Sequence, residues 1–473
     1  MRHWPHWRAV AKCAAILATP GGVAACVSYH PAPLAPSEIA RSYQNRVLDA
    51  AAAAAEVKRI APTAQWTGET WDRLSLLAAA LGANPTIAEA RAHTASLEAA
   101  VRAAKAGPST TLTLTAEYAR NAPESSPWLY GVTGDIPLDV VGRRSSRVDA
   151  ATLAAVGARY DYAEAVWTVR MSIRRAMAEE MLAAREVEIG EALMQVRARQ
   201  LTALERRVVG GEAVRSDLER ARADAAGDGR RVVDAQARRM AALAVLADAV
   251  GVPPAEIENA VLSWAGFDAP RSLPEPDISS QREVALPGRA DVLRAVADYD
   301  QTEADLRGEV AKQWPEIHLG PGYTWERGLE KLPFSLGLVL PPGDLNRGAI
   351  AAAEARRKEA GVHLEAVIVR GQAAIEAALI EQRAAYAALA RVREVDITAA
   401  KRFAAQADQE LANGAIDRVD WSAAQVGLAL AELAEIEALR RVHAADAALE
   451  DALRRPLEGP ELQIAPQNTG EQR

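Results

Sequence analysis

Few of the side chains that commonly do chemistry occur here at a spacing that would let them act together. The histidines have no second ligand at metal-site spacing, so each is interpreted as a surface or packed helix residue: His93, His318, His363 and His443. Several methionines could bind a soft metal, but their helical spacing favours core packing: Met171, Met177, Met181 and Met194. We therefore predict no catalytic activity, no cofactor and no bound metal.

Two aspartates stand out because each follows a glycine by six residues. The stretch "GGEAVRSD" runs from Gly210 to Asp217, and "NGAIDRVD" runs from Asn413 to Asp420. Both interrupt a long helical pattern, so a glycine turn followed by a new helix is expected at each. The simplest role for an acid at the start of a helix is to complement the helix dipole. Recurrence at one offset favours a functional role for Asp420, whereas both interpretations stay open for Asp217.

One cysteine is a candidate for modification. The basic "MRHWPHWRAVAK" and the apolar "CAAILATPGGVAA" have the pattern of an export signal. The segment "VAAC" (23–26), which begins within this apolar stretch, resembles the lipobox of bacterial lipoproteins. In such a lipobox Cys26 would be lipidated and would hold the chain to a membrane leaflet. Cys13 would leave with the signal, so the mature chain would have no intrachain disulfide. The alternative is an ordinary signal followed by a free thiol.

The composition favours long helices. Of 473 residues, 49% are hydrophobic but only 5% are aromatic, which is typical of helices packed through small residues. The net charge is −8 and no basic cluster is interleaved with aromatics, which excludes nucleic acid as a partner. After the first 25 residues, no segment approaches 18 consecutive apolar residues, so a membrane-spanning role would require short β-strands.

The chain contains an internal repeat. Four pairs of segments match at nearly constant spacing: "AKAGP" (104–108) with "AKQWP" (311–315), "IPLDVVGRR" (136–144) with "LPPGDLNRG" (340–348), "EAVWTV" (164–169) with "EAVIVR" (365–370), and "GEAVRSD" (211–217) with "GAIDRVD" (414–420). Each half therefore reads as a helix, a strand pair, a very long helix, a glycine break and a shorter helix.

These patterns set the expected domain boundaries. The chain divides into a signal peptide (1–25), an irregular lipidated segment (26–69), a first repeat (70–250), a Pro-rich linker (251–287), a second repeat (288–455) and a tail (456–473). The first repeat is predicted to contain a helix, strands 111–118 and 128–137, a long helix 143–209 and a helix 214–250. The second is predicted to contain a helix, strands 316–325 and 334–341, a long helix 347–412 and a helix 417–453.

The predicted strands alternate between apolar and small or polar residues. Aromatic residues gather at strand ends, as an interfacial belt of a transmembrane barrel requires: Tyr118, Trp128, Tyr130, Trp325 and Phe334. Four strands cannot close a barrel, so several chains would have to contribute. The alternative is two hairpins packed on a soluble core. Each long helix would measure roughly 100 Å and has coiled-coil spacing, which suits a tunnel or an extended rod.

Over about residues 65–455, the order of elements and several motifs resemble the outer-membrane efflux proteins, the TolC-like channels. The motifs are "NPTIAEARA", "AGPSTTLTLTAEY", "IPLDVVGRR", "GGEAVRSDLERAR" and "GAIDRVDWSAAQ". The lipobox followed by "SYHPAPL" is similar to the lipoprotein branch of that family. The resemblance implies a mainly α fold with a small β part, a long α-helical coiled-coil barrel and four transmembrane strands per chain. A homotrimer would complete a 12-stranded barrel.

The resemblance also implies roles for the two glycine turns. They would form the inner end of the tunnel and dock a periplasmic adaptor protein through Gly210, Gly211, Asn413 and Gly414. By position, Asp420 and Asp217 would form the pore constriction.

Two positions depart from the family pattern. Ile416 stands where a basic residue is expected, and Ala423 stands where a further acid is often found. Arg215 or Arg418 could substitute for the missing base.

The implied function is a passive exit duct in the outer membrane of a Gram-negative bacterium, lipid-anchored and projecting into the periplasm. It would conduct substrates delivered by an adaptor and an inner-membrane pump, commonly of the resistance-nodulation-division type. The main alternative is a lipid-anchored periplasmic coiled-coil structural protein, which would not need alternating strands with aromatic ends.

Overall fold

The computed structural model describes residues 29–120, 126–271, 286–326 and 328–464. Cys26 and the predicted signal peptide lie outside these residues. The chain forms two units, one up to Arg46 and one from Val47 onward. In the first unit, helix α1 (Pro36–Gln44) begins at a proline and buries none of its residues. The elements described below belong to the second unit.

The prediction that 26–69 is irregular is wrong where this segment is described. Besides α1, it contains helix α2 (Ala50–Ile60). The carboxylate of Asp49 caps α2 by accepting hydrogen bonds from the N–H groups of the two residues that follow Ala50. Ala53, Val57 and Ile60 are buried at helical spacing, a pattern that the surrounding alanines obscure in the sequence.

The expected first helix of the first repeat is two helices, α3 (Arg73–Ala83) and α4 (Pro85–Ala104). Asn84 separates them, and its side chain accepts a hydrogen bond from the N–H of Ile87 at 3.1 Å. Its amide also donates to the carbonyl of Ala249 at 2.8 Å. The break is therefore fixed partly by a contact from far along the chain, which local spacing does not reveal.

Strands of both repeats form one antiparallel sheet. β1 (Thr111–Tyr118) pairs with β2 (Trp128–Leu138), and β2 pairs with β3 (Glu316–Glu326). The short β4 (Leu329–Lys331) and β5 (Phe334–Val339) both pair with β3. The predicted final strand 334–341 ends at residue 339, since prolines at 341 and 342 cannot donate to a strand ladder.

The register places the apolar residues of neighbouring strands on one face. Leu114 lies opposite Val132, Val132 lies opposite Tyr323, and Leu319 lies opposite Leu336. Much of this face is exposed; Leu114, for example, is 73% exposed. The opposite face consists mainly of threonine, glycine, serine and charged residues. The sheet therefore presents an uncovered apolar surface and a small or polar one.

Long helices make up the rest of the repeats. In the first, α5 (Arg143–Val209) has 67 residues, a length of about 100 Å, and is followed by α6 (Arg215–Val250). In the second, the helices are α8 (Ala290–Ala311), α9 (Arg347–Arg391), α10 (Thr398–Ala412) and α11 (Arg418–Leu453). Helix α7 (Pro254–Glu258) lies between the repeats. Within the described residues, no helix is apolar over a span sufficient to cross a membrane.

The predicted uninterrupted helix 347–412 is wrong at one point, because a π-helical segment (Val392–Ile397) separates α9 from α10. The hydroxyl of Thr398 donates to the carbonyl of Arg393 at 3.0 Å. The guanidinium of Arg393 in turn binds Glu435 of α11 at 2.7 Å and the carbonyl of Asp268 at 2.5 Å. A π-helical turn contains one residue more than an α-helical turn. Here that wider turn is accompanied by tertiary contacts of Arg393.

The largest core lies where α3, the middle of α5, the end of α6 and α11 meet. Residues 251–271, predicted as plain linker, contribute to it: Trp264 and Phe267 are buried, and Trp71 forms a parallel bridge with Leu262. The described part of the predicted tail also packs, since Glu461 is buried within a 3-10 turn (Pro460–Gln463). Both segments therefore complete the core between the repeats.

Candidate functional site

The first glycine turn closes α5. The N–H of Gly211 donates to the carbonyl of Val208 at 3.1 Å, and the N–H of Glu212 donates to that of Arg207 at 2.8 Å. These two bonds form a Schellman motif, which satisfies the last carbonyl groups of a helix. The motif needs a residue in the left-handed region, and Gly211 supplies it at φ +76°.

The second turn repeats this geometry at the end of α10. The N–H of Gly414 donates to the carbonyl of Leu411 at 3.1 Å, and that of Ala415 donates to Glu410 at 2.8 Å. Gly414 has φ +70°, and Asn413 holds the C-cap position. The two turns are therefore structurally equivalent.

Asp217 and Asp420 also occupy equivalent positions. A new helix begins at Arg215 after the first turn and at Arg418 after the second, so each aspartate is the third helical residue. Both aspartates are exposed. The shared offset in sequence thus corresponds to one place in the first turn of each helix.

The two turns differ at the residue before the new helix. The carboxylate of Asp417 caps α11 by accepting from the N–H groups of Val419 at 2.7 Å and Asp420 at 3.0 Å. Val214 holds the matching position before α6 and provides no side-chain cap. Sequence reasoning missed Asp417, although an aspartate directly before a helix is a recognisable N-cap signal.

A salt bridge joins the two turns. Arg207 of α5 contacts the carboxylate of Asp417 at 2.8 Å. Beneath it, Val419 packs against a small apolar cluster that contains Leu204 and Leu218. The two turns of one chain therefore lie side by side. The arginine that joins them, Arg207, precedes Gly210 and Gly211 in the sequence.

The exposed surfaces of the two turns differ in polarity. Val209 is 89% exposed and Val214 is 66% exposed at the first turn. The matching residues of the second turn are Ala412 and Asp417. The first turn thus presents an apolar surface and the second a more polar one.

Four of the five predicted belt residues form one row across the sheet: Tyr118, Trp128, Tyr130 and Trp325. Successive ring centroids lie 4.9, 5.7 and 6.0 Å apart. Phe334 lies opposite Pro321, nearer the middle of β3, and is 70% exposed on the same face. The row lies at the end of the sheet where β1 and β3 finish.

The other candidate residues are dispersed. Among the described residues, no three His, Cys, Asp or Glu side chains are grouped so that they could hold a metal ion. Met171 and Met177 are buried, but the prediction of core packing is wrong for Met194, which is 42% exposed. Its methyl group lies 3.7 Å from the position that a Cβ of Gly229 on α6 would occupy.

Sequence reasoning also missed a buried group of charges between the repeats, here called the waist cluster. Its members are Arg73, Arg170, Arg174, Glu450, Glu458 and Glu461. Arg170 and Arg174 of α5 contact one oxygen of Glu450 on α11 at 2.8 and 3.2 Å. The charges are far apart in sequence, so no local pattern indicates that they meet.

The C-terminal segment supplies two acids of the waist cluster. Arg73 contacts Glu458 and Glu461, each at 3.3 Å, and its guanidinium lies 4.1 Å from the ring centre of Trp264. Gly459 has φ +86°, and a Cβ there would collide with the guanidinium of Arg73. The segment is therefore closely fitted around this arginine.

Two titratable groups near the waist cluster have shifted pKa values. Burial lowers the pKa of His443 to about 4, assisted by the positive charge of Arg174. Burial also raises the pKa of Asp446 to about 6, against the hydrogen bond from Gln382. His443 stacks on Phe267 at 4.4 Å. Its packing accounts for its burial without a catalytic role.

Comparison with known proteins supports the predicted resemblance. Residues 76–252 match the family model described as outer membrane efflux protein. No curated protein sequence gives a significant match. Among solved structures, VceC from Vibrio cholerae is similar at 20% identity and a TM-score of 0.65, covering 82% of this chain and 97% of that one.

The chain has the fold of the outer-membrane efflux channels. CmeC from Campylobacter jejuni is 14% identical with a TM-score of 0.65, over 80% of this chain and 85% of that one. The open-state outer membrane channel MtrE from Neisseria gonorrhoeae is 18% identical with a TM-score of 0.63, over 80% and 88%. The expected fold class, mainly α with a small β part, is confirmed, and so is the resemblance to TolC-like channels.

Proposed function

We propose that this protein is the outer-membrane exit channel of a tripartite efflux system. It would passively conduct substrates that an inner-membrane pump and a periplasmic adaptor deliver. The observation that carries this proposal is the combination within one unit of an uncovered apolar sheet face with two helical hairpins that end side by side. A helix of about 100 Å far exceeds the roughly 30 Å hydrocarbon core of a bilayer, so most of it would project beyond the membrane.

The sheet supports assembly from several copies. In the described residues, β1 pairs only with β2 and β5 pairs only with β3, so strands at both ends have an edge available for another chain. Closing the sheet into a barrel satisfies these edges inside a membrane, where water cannot. Three copies, as the family resemblance implies, would give a homotrimer in a Gram-negative outer membrane.

The glycine turns are the proposed contact with the adaptor. Gly210, Gly211, Asn413 and Gly414 would form the docking surface at the inner end of the tunnel. Their support is the repeated Schellman geometry and the exposure of the surrounding residues. The apolar first turn, with Val209 and Val214, and the polar second turn would give an adaptor two different contacts. The pump is proposed to be of the resistance-nodulation-division type.

Two further roles complete the proposal. Asp420 and Asp217 would narrow the pore and favour cations, since both are exposed carboxylates at equivalent places beside the turns. Cys26 would be lipidated after signal cleavage and would anchor the chain to the outer membrane. Its support is the "VAAC" lipobox and the absence of another cysteine after it in the sequence.

The experiment that tests the function asks which face of the sheet meets lipid. We expect purified protein to be trimeric in detergent and to conduct ions in planar bilayers. Leu114→Lys should prevent stable insertion, because a lysine facing lipid near mid-bilayer costs about 2–4 kcal/mol. Thr113→Lys, the neighbouring residue on the opposite face, is the matched control and should insert normally.

The alternative, a lipid-anchored coiled-coil structural protein, gives a different outcome. In that case a lysine at position 113 or 114 would have the same effect, and the protein would not conduct ions in planar bilayers. A monomer without conductance, or equal insertion of the Leu114 and Thr113 variants, would refute the channel.

A further inference from the structure

The end of the sheet opposite the aromatic row carries a compact group of charges. His318 lies on β3, where its Nδ1 is 2.9 Å from a carboxylate oxygen of Asp135. Its Nε2 is 3.6 Å from a carboxylate oxygen of Glu316. The imidazole is 22% exposed, whereas the side chains of Asp135 and Glu316 are 52% and 38% exposed. One histidine thus lies between two carboxylates that remain partly open to solvent, and it shares a hydrogen bond with the first of them.

The strand register explains why these residues meet. His318 lies directly opposite Pro137 of β2, so Asp135 is its diagonal neighbour on the same face. Glu316 is two residues from His318 on β3 and shares that face. On the other side, Gly337 of β5 lies opposite His318, and a Cβ there would be only 3.3 Å from the Cβ of the histidine. The glycine therefore leaves room for the imidazole.

The neighbouring elements contribute two arginines. Arg143 at the start of α5 contacts Glu316 at 2.8 Å and donates to the carbonyl of Trp314 at 2.6 Å. Arg147, one turn further along, donates to the carbonyls of Ala104 and Ala106, each at 3.4 Å. When the imidazole is neutral, the negative charges of the two carboxylates and the positive charges of the two guanidinium groups cancel. Protonation of His318 would leave one net positive charge in each chain.

The group lines an open cavity of about 740 Å³ between the sheet and the end of α4. Its wall includes Asp135, Arg147, Glu316 and His318. Asp135, Glu316 and His318 lie on the face of the sheet opposite the exposed apolar residues. If the apolar face meets lipid, as in the proposed function, this face meets the water inside the barrel. The cavity would then open to the path of a permeating ion.

We propose that Asp135, Glu316 and His318 form a second selectivity site, at the junction of barrel and tunnel, whose preference between cations and anions depends on the charge of His318. The ligands are small hydrated ions or charged groups of a passing substrate. This inference rests on the proposed function. In a trimer the site occurs three times around one lumen, so each change of charge is repeated threefold.

The test compares ion selectivity at two pH values. Imidazoles commonly change charge between pH 5 and 8, whereas ordinary carboxylates remain ionised over most of that range. The wild-type channel, measured in planar bilayers under a KCl gradient, should lose part of its cation preference between pH 8 and pH 5.5. A unit charge at about 10 Å in water changes a local ion concentration about twofold, so a change of this size or larger is expected.

Two variants locate the effect. His318→Gln should remove most of the pH-dependent change and keep the selectivity that wild type shows at pH 8. Asp135→Asn should lower the cation preference already at pH 8, because it removes a carboxylate beside the pore. Trimer content is checked for both variants, and the Asp135 variant still tests the site if the histidine variant does not assemble.

His363→Gln is the matched control, since His363 is an exposed histidine on α9 far along the chain from the sheet residues. It should retain the wild-type change. His443 lies outside this window, because burial lowers its pKa to about 4. Burial raises the pKa of Asp446 to about 6, so this carboxyl titrates within the window, but it does so in wild type and in every variant alike and cannot produce a difference between them. Conducting channels in which the His318 and His363 variants behave alike, with Asp135→Asn unchanged, would overturn this inference and leave the channel intact. A protein without conductance would overturn both proposals.

Discussion

At the scale of single residues, the two repeated aspartates show what a sequence can reveal. Their equal distance from a glycine predicted equivalent positions, and each is the third residue of its helix. Position in a helix is local, so spacing captures it. The partners were not predictable in this way: Arg207 lies 210 residues from Asp417. No local pattern favours that arginine over Arg215 or Arg418.

Asp420→Asn should weaken block of the channel by multivalent cations added from the periplasmic side. The substitution removes one negative charge per chain from the proposed neck, while its cost to the helix dipole is only a few tenths of a kcal/mol. Single-channel recordings with increasing concentrations of a trivalent cation measure the effect. Asp234→Asn, at an exposed position of α6 well beyond the turn, is the control and should be blocked as wild type is.

The same recordings on Asp217→Asn separate the two repeats. Weaker block in this variant as well would place both aspartates beside the pore. Block that is unchanged in the Asp420 variant would remove this residue from the neck and leave it the role of complementing the helix dipole.

At the scale of elements, turns and strands were predictable because their signals are local. The glycine breaks, the alternating strands and most of the long helices follow from spacing, capping and periodicity. The break at Asn84 and the π-helical segment at 392–397 did not follow, because each is tied to a distant contact. Asn84 binds a carbonyl of α6, and Arg393 binds α11. Such irregularities depend on tertiary structure.

Gly414→Val should impair efflux while the trimer remains intact. A β-branched residue at φ +70° is strained by roughly 1–2 kcal/mol, so the turn is expected to shift from its docking geometry. There is open space around the position, so no clash with another element contributes. Export of a known pump substrate from cells that lack other channels is the readout, together with trimer migration on gels.

Gly414→Asn is the matched control, because asparagine tolerates the left-handed region. It should support more export than the valine variant. Normal export by the valine variant would show that this turn is not the docking site, whereas loss of the trimer would indicate a role in assembly.

At the scale of the molecule, several kinds of contact join the two repeats. Their strands share a sheet, their turns share a salt bridge, and their helices share the waist cluster. The sequence revealed the duplication but not these junctions, since each requires residues from both halves. The segments expected to be a linker and a tail turned out to pack between the repeats, as Trp264 and Glu461 show.

The C-terminal segment balances charge in the waist cluster. Arg73, Arg170 and Arg174 are at most 4% exposed, and Glu458 and Glu461 supply two of the three acids around them. Burial raises the pKa of Glu461, while Arg73 and Arg170 oppose that rise. Removing one side of a buried ion pair commonly costs 3–5 kcal/mol, because the remaining charge stays buried without compensation. This segment should therefore matter for stability.

We expect a chain that stops at Leu457 to melt at a markedly lower temperature than the full protein. It loses Glu458 and Glu461, so Arg170 and Arg174 would share the carboxylate of Glu450, while Arg73 would lose both of its acidic partners. Thermal unfolding of the detergent-solubilised protein, followed by circular dichroism, measures the change. A chain that stops at Ile464 keeps both acids and is the matched control. If the two truncated chains melt together, the arginines do not depend on this segment for their compensation. If only the shorter one is destabilised, the waist cluster holds the two repeats together through it.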